Sequence, residues 1–225
     1  MTKPRLPRRE TGERFSRQRF SNVIYLFREG STEYEYLKEI SIGSGFQIVP
    51  RSMQSDPVFL VNSAVGFLSD SDVASDFVKN PGYEVWIVFD DDEKPVISTV
   101  MRSFPAMLRR IKNASLRTRV HVAFMKPCIE LWAVLCLKDG IRLYTNAPGH
   151  RKMESLLRKH MPSYRHDGCP YFDIAKMPEW KKACEQARQW EGTWGTFPNC
   201  NSATWFAGIH ELVRRIQEAK QMPLS

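Results

Sequence analysis

Two short, mostly apolar runs end in acidic residues, and that pairing constrains the chain more than its composition does. Residues 22–27, NVIYLF, stop at Arg28-Glu29-Gly30, and residues 84–89, EVWIVF, stop at Asp90-Asp91-Asp92. Near-continuous apolar runs of this length mark strands buried on both faces, the condition of a parallel sheet covered by helices on either side. Ligands in such sheets gather beyond the carboxyl ends of the strands. Both acidic groups are expected there.

The segments around these runs follow the same plan. Thr32, with Glu35 three residues on, matches a capping box, and Tyr36, Leu37 and Ile40 recur on one helical face. Gly43 and Gly45 end that helix, and residues 46–49 read as a second strand closed by Pro50. Residues 56–78 are helix-like with breaks near 69–72, and Pro81-Gly82 makes a turn. Residues 99–112 resemble an amphipathic helix kinked or started late by Pro105, and residues 119–125 a further strand. This β-α-β-α-β-α-β rhythm predicts an α/β fold with a mainly parallel sheet and helices on both faces.

After Met125 the rhythm changes. CIELWAVLCL at 128–137 is apolar nearly all round and reads as a buried helix, with Trp132 in the core. Residues 153–160 form a short basic helix, 162–173 a loop, 178–190 a helix, 192–201 a loop and 203–221 a closing helix. The expected organisation is a flexible basic arm over 1–20, an α/β core over 21–126, and a helical elaboration over 127–225 packed on that core.

Charge and cysteine usage narrow the function classes. Of the formal net charge of +8, the first 20 residues supply a large share, with seven Lys/Arg against two Glu. A basic arm suits a protein that acts on a polyanion, because Lys and Arg displace counterions from phosphates; a solvated tail is the other reading. Five cysteines, an odd number with no CxxC pair, argue against a zinc knuckle or a disulfide framework. They read as reduced thiols, and with no run near 18 apolar residues and no apolar segment behind the basic start, a cytoplasmic protein without a membrane partner is expected. A GxxxxGK[ST] loop is absent, as are GxSxG and a nucleophilic Cys/His set, so P-loop ATP hydrolysis and triad chemistry are not expected.

The acidic residues suit a hard metal ion. Alternate residues of an extended segment point the same way, so Asp90 and Asp92 can turn toward one ion while Asp91 points away. Magnesium takes oxygen ligands, usually one or two protein carboxylates with water and substrate phosphate, and Asp90, Asp92 and Glu29 fit that demand. Gly30 lets the backbone approach a ligand closely. Glu33, in the first turn of the following helix, is near enough to share the site, or is placed there by the helix dipole. Glu130 is the one charge in an apolar helix and must have a partner: either a metal or an ion pair, for which Lys126 or His121 is available. Lys152, Arg158, Lys159, His160, Arg165 and His166 offer a basic rim for a phosphate backbone, or a solvated helix face.

Strand-Glu29-Gly30 followed by strand-Asp90-x-Asp92 resembles the Toprim arrangement of topoisomerases, primases and the overcoming-lysogenization-defect nucleases. More narrowly, YLFREGSTEYEYL at 25–37, VWIVFDDDE at 85–93 and PCIELW at 127–132 are similar to the RloB-like family, whose pattern reads EGxxTExxYL, VWxVFDxDE and SNPxFExWLLLH in this order. The resemblance implies a Mg²⁺- or Mn²⁺-dependent Toprim-type nuclease of prokaryotic antiviral loci, sometimes beside a separate ATPase. It makes Glu29 the proton-handling or metal-binding glutamate, Asp90 and Asp92 the metal pair, and Glu33 and Glu130 further catalytic positions. Where the family has Ser-Asn-Pro, this chain has Met125-Lys126-Pro127, and a Tyr-x-Lys becomes Tyr164-Arg165-His166. Lys126, Lys152, Arg158, Arg165 and His166 are the expected nucleic-acid contacts. The leading expectation is an endonuclease, with RNA, including tRNA, ahead of DNA, and with a homo-oligomer open. A non-catalytic partner or sensor of an ATPase is the alternative, and a primase-like nucleotidyl transferase ranks third.

Overall fold

The computed structural model describes residues 22–53, 55–90, 96–144, 150–165, 173–194 and 206–221. The basic arm, Asp91, Asp92 and His166 lie outside these residues. In chain order the elements are β1 (Asn22–Arg28), α1 (Thr32–Ser41), β2 (Phe46–Met53), α2 (Pro57–Ser69), α3 (Ser71–Lys79), β3 (Tyr83–Asp90), α4 (Val96–Leu108), α5 (Ala114–Arg117), β4 (Val120–Lys126), α6 (Ile129–Cys136), α7 (Gly140–Tyr144), α8 (His150–His160), a 3-10 turn (Ile174–Lys176), α9 (Trp180–Trp194), β5 (Phe206–Ala207) and α10 (His210–Gln221). The strand order is β2-β1-β3-β4-β5. The first four strands are mutually parallel and β5 joins antiparallel.

Strand alternation divides the core. Ile24 and Leu26 of β1, Trp86 and Val88 of β3, and Ala123 and Met125 of β4 point to one face, where α1, α6, α8, α9 and α10 cover them. Phe27, then Val85, Ile87 and Phe89, then Val120 and Phe124 point to the other, beneath α2, α3 and α4. Apolar residues on both faces of each central strand explain why β1 and β3 are legible as continuous apolar runs. The later helices share one core with α1. No described helix is long and apolar enough to cross a membrane.

Several sequence expectations change. Strand β2 continues through Pro50 to Met53 because it is the sheet edge, where a missing backbone N–H removes no ladder bond from a central strand. Opposite Leu26 and Phe27 the register jumps from Pro50 to Ser52, leaving Arg51 as the extra residue of a bulge. The capping box does not form: Ser31 precedes α1 and makes no side-chain cap. The break expected near 69–72 does occur, at Asp70, whose extended backbone lets its carboxylate accept from the N–H groups of Asp72 and Val73 at 2.9 and 3.1 Å and divides the stretch into α2 and α3. Helix α4 starts earlier than expected and runs through Pro105, held across the lost bond by buried Val100 and Phe104. The closing helix begins only at His210, since Phe206–Ala207 pairs with Lys126 and Met125 as β5.

Helices α1 and α6, which both start at the acidic end of the sheet, are tied by a buried hydrogen bond from the Trp132 indole N–H to the Tyr36 hydroxyl at 2.7 Å. Tyr36→Phe leaves that indole N–H buried without its acceptor, which costs roughly 1–3 kcal/mol. The expected result is a lower urea midpoint with an unchanged m-value; an unchanged midpoint contradicts this account.

Candidate functional site

The chain leaves β1 for β2 on one side and returns to β3 on the other, so the connections after β1 and β3 diverge and open a crevice between them. Glu29 follows β1 directly, and its backbone N–H extends the ladder to the Val88 carbonyl at 3.1 Å. Asp90 is the last residue of β3, and its N–H donates to Glu29 Oε2 at 3.2 Å. The final rung between the central strands is therefore a carboxylate, and it places the side chain of Glu29 at the root of Asp90.

Two further carboxyl groups come from the first turns of α1 and α6. Glu33 is 2% exposed, and its Oε2 is buried with no hydrogen-bond partner among the described residues. A Cβ on Gly30 would stand 3.1 Å from that oxygen, so the glycine gives the carboxyl group room. Burial pushes the Glu33 carboxyl up to about 7; its own backbone N–H pulls the other way, the charges of Glu130 and Glu29 add to the rise, and Arg28 opposes it. A dipole role at a helix start requires no burial, so burial beside like charges goes beyond that explanation.

Glu130 is fully buried, and its Oε1 accepts a hydrogen bond from the Tyr164 hydroxyl. Burial first, and the Glu130 charge second, hold Tyr164 protonated far above the ordinary tyrosine range. Cys128, at the start of α6, is kept as a thiol by burial and by the charges of Glu130 and Asp90. Tyr164 thus fills a place for which His121 was a candidate. His121 sits near the beginning of β4, away from its acidic end, where it stacks on Trp86 at 4.6 Å and faces Glu84 at 3.7 Å.

The structure therefore sets Glu29 against Asp90, puts Glu33 in the field of Glu29 and Glu130, and brings Asp90 and Glu130 both to Cys128. Asp92 lies outside the described residues. Among the basic candidates, Lys126 ends β4, Lys152 and Arg158 are exposed on α8, and Arg165 follows Tyr164. The Arg158 guanidinium bonds Glu154 at 2.5 Å, which leaves less of its charge for a phosphate. His166 is outside the described residues.

Sequence reasoning did not single out Arg28 or Cys128 and left Tyr164 without a role. Arg28 Nη1 donates to the Gly30 carbonyl at 2.5 Å, its guanidinium lies 5.1 Å from the Tyr34 ring centre, and its buried Nε has no hydrogen-bond partner among the described residues. Adjacency to Glu29 was its one local signal. Tyr164 meets Glu130 across 34 residues, a contact no local pattern encodes.

All the clustered carboxyl donors are oxygens, the kind a hard divalent ion takes. Among the described residues, however, no group of three or more His, Cys, Asp or Glu is arranged to hold an ion. A complete ligand set would have to draw on Asp92 or on side-chain adjustment.

The Glu33 environment carries a pH dependence. Its carboxyl is raised from 4.5 to about 7, so the folded state prefers the protonated form. That contribution to stability is fully present below pH 4.5 and is lost as pH rises through about 7. Without divalent metal, Glu33→Gln should flatten the pH dependence and raise stability at pH 8 relative to pH 5 by on the order of 3 kcal/mol. Denaturation midpoints at both pH values test this; the same pH dependence in both proteins contradicts it.

The family model for RloB-like protein matches residues 24–216, a span that holds both strand ends, Glu33, Glu130 and Tyr164. No curated protein and no solved structure matches the chain. With that match covering most of its length, the chain belongs to the RloB-like protein family.

Proposed function

We propose that the chain is a Mg²⁺- or Mn²⁺-dependent endonuclease of a prokaryotic antiviral system, with RNA, including tRNA, favoured over DNA. Family membership is compatible with a nuclease or defence-associated role. The observation that carries the reading is the meeting of Glu29 and Asp90 at the switch point of a parallel sheet, with buried Glu33 and Glu130 beside them. Gathered carboxylates repel one another, and a divalent cation is the partner that offsets the repulsion while attracting phosphate. Asp90, Asp92 and Glu29 would hold it, and when bound it would polarise a phosphoryl oxygen and lower the pKa of a ligating water.

Each side chain then has a task. Glu33, with its carboxyl raised to about 7, can take or give a proton near neutral pH. Glu130 is held in position by the Tyr164 hydroxyl. Arg28 places a guanidinium beside the carboxylates, where it can meet a phosphate oxygen. Lys126, Lys152, Arg165 and His166 are assigned to the backbone of the strand being cut, and a separate ATPase or a second copy of the chain is the expected partner.

The alternative is a non-catalytic partner or sensor of an ATPase that uses the acidic pocket for an ion or ligand. Incubation with tRNA, single-stranded RNA, plasmid and linear DNA, each with Mg²⁺, Mn²⁺ or EDTA, separates the two readings. Metal-dependent cleavage should fall about a hundredfold or more in Asp90→Ala and Glu29→Ala. Wild type and both variants behaving alike on every substrate contradicts the nuclease reading.

A further inference from the structure

The corner between α4 and β4 carries a concentration of positive charge that the candidate site does not use. From residue 94 to residue 129 the sequence holds no Asp or Glu, and residues 109–119 alone contain five Lys/Arg. This corner is anchored in the core. Ile111 and Leu116 are fully buried in the core beneath α2, α3 and α4, and the Asn113 side chain accepts from the Ser115 N–H at 3.0 Å to start α5.

Three of the corner cations, Arg110, Arg117 and Arg119, are held by neutral oxygens. Arg117 Nε donates to the Ile111 carbonyl at 2.9 Å and its Nη2 to the Arg109 carbonyl at 3.3 Å. Arg119 Nη1 donates to the carbonyls of Phe77 and Asn80 at 2.6 and 3.1 Å, and Arg110 Nη1 to Asn62 Oδ1 at 2.7 Å. Arg109 and Lys112 are exposed. Several cations elsewhere meet carboxylates: Arg214 bonds Glu211 and Glu218, Arg215 bonds Glu84, and Lys182 bonds Glu179. A guanidinium on a carbonyl keeps its whole charge, so among the described residues no carboxylate offsets the charge of these three arginines. Helix α3 packs nearby and carries Asp72 and Asp76, but Asp76 accepts from the Asn80 amide at 2.9 Å, and among the described residues neither forms an ion pair with the corner.

We propose that this corner, centred on Arg109, Arg110 and Lys112, is a second binding surface for the phosphate backbone of a nucleic acid, separate from the carboxylate end of the sheet. A row of phosphates is the partner whose charge complements five clustered cations, three of them held by neutral oxygens and none of them ion-paired among the described residues. Strand β4 separates the two regions by seven residues, about 23 Å at about 3.3 Å per residue. The ligand is thus a folded or duplex nucleic acid long enough to reach over both, since about seven base pairs at about 3.4 Å cover that distance. The inference shares with the proposed function only the choice of nucleic acid as ligand, and it needs no cleavage.

The test is fluorescence anisotropy in EDTA, with a labelled 20-nucleotide RNA and a labelled 20-base-pair DNA duplex as separate probes. Wild type is compared with Arg109→Glu/Lys112→Glu and with Lys181→Glu/Lys182→Glu, which changes net charge equally at exposed sites on α9. Melting curves establish that all three fold. The corner variant should bind at least one probe about tenfold or more weakly, with a log–log salt slope smaller by about 2, while the α9 variant binds like wild type. Equal losses in both variants, no loss in the corner variant, or no binding of either probe by wild type overturns the inference. Binding without cleavage when metal is restored overturns only the nuclease reading.

Discussion

Carboxyl groups brought together in a low-dielectric place repel one another, and the arrangement around Glu29, Glu33, Asp90 and Glu130 has to contain that repulsion. Contacts among the described residues help to do so. The Asp90 N–H serves the Glu29 carboxylate, the Tyr164 hydroxyl serves Glu130, and the Arg28 guanidinium lies beside Glu33. Part of the remaining repulsion is relieved by protonation, since burial, with the charges of Glu130 and Glu29 adding to it, pushes the Glu33 carboxyl up to about 7. Such an arrangement is unfavourable for stability alone and favourable for an incoming cation.

The apolar architecture supplies the force that holds these groups in place. One core joins β1, β3 and β4 to α1, α6 and α10, so the helix starts bearing Glu33 and Glu130 are fixed by the same packing that fixes the strand ends bearing Glu29 and Asp90. The later helices belong to that core, with Tyr164 buried among them and reaching back to Glu130. The opposite core holds the basic α4–β4 corner, so the sheet presents clustered acid at one end and fixed positive charge at the other.

The parts of this structure written in local sequence were those whose physics is local. Strands β1 and β3 are buried on both faces, so their apolar runs and terminal acids were legible, as was the buried α6 from its all-round apolar pattern. Pro50 misled because its meaning depends on β2 being an edge strand, a property of sheet order. Phe206 and Ala207 form a strand only because Lys126 and Met125 offer a ladder from far away in the chain. Tyr164 carried no pattern pointing to Glu130, and burial of the Glu33 carboxyl could not be told from a surface acid at a helix start.

The central claim is that the acidic end of the sheet is a divalent-cation site. Its most direct measurement is the anomalous density of a crystal grown or soaked with Mn²⁺. The account predicts a peak at roughly 2.1 Å from carboxylate oxygens of Glu29, Asp90 and Asp92, the ligand distance a small hard dication requires. An ordered site with no peak there, and with those carboxyl groups more than about 8 Å apart, would contradict it, because one ion could not reach them all.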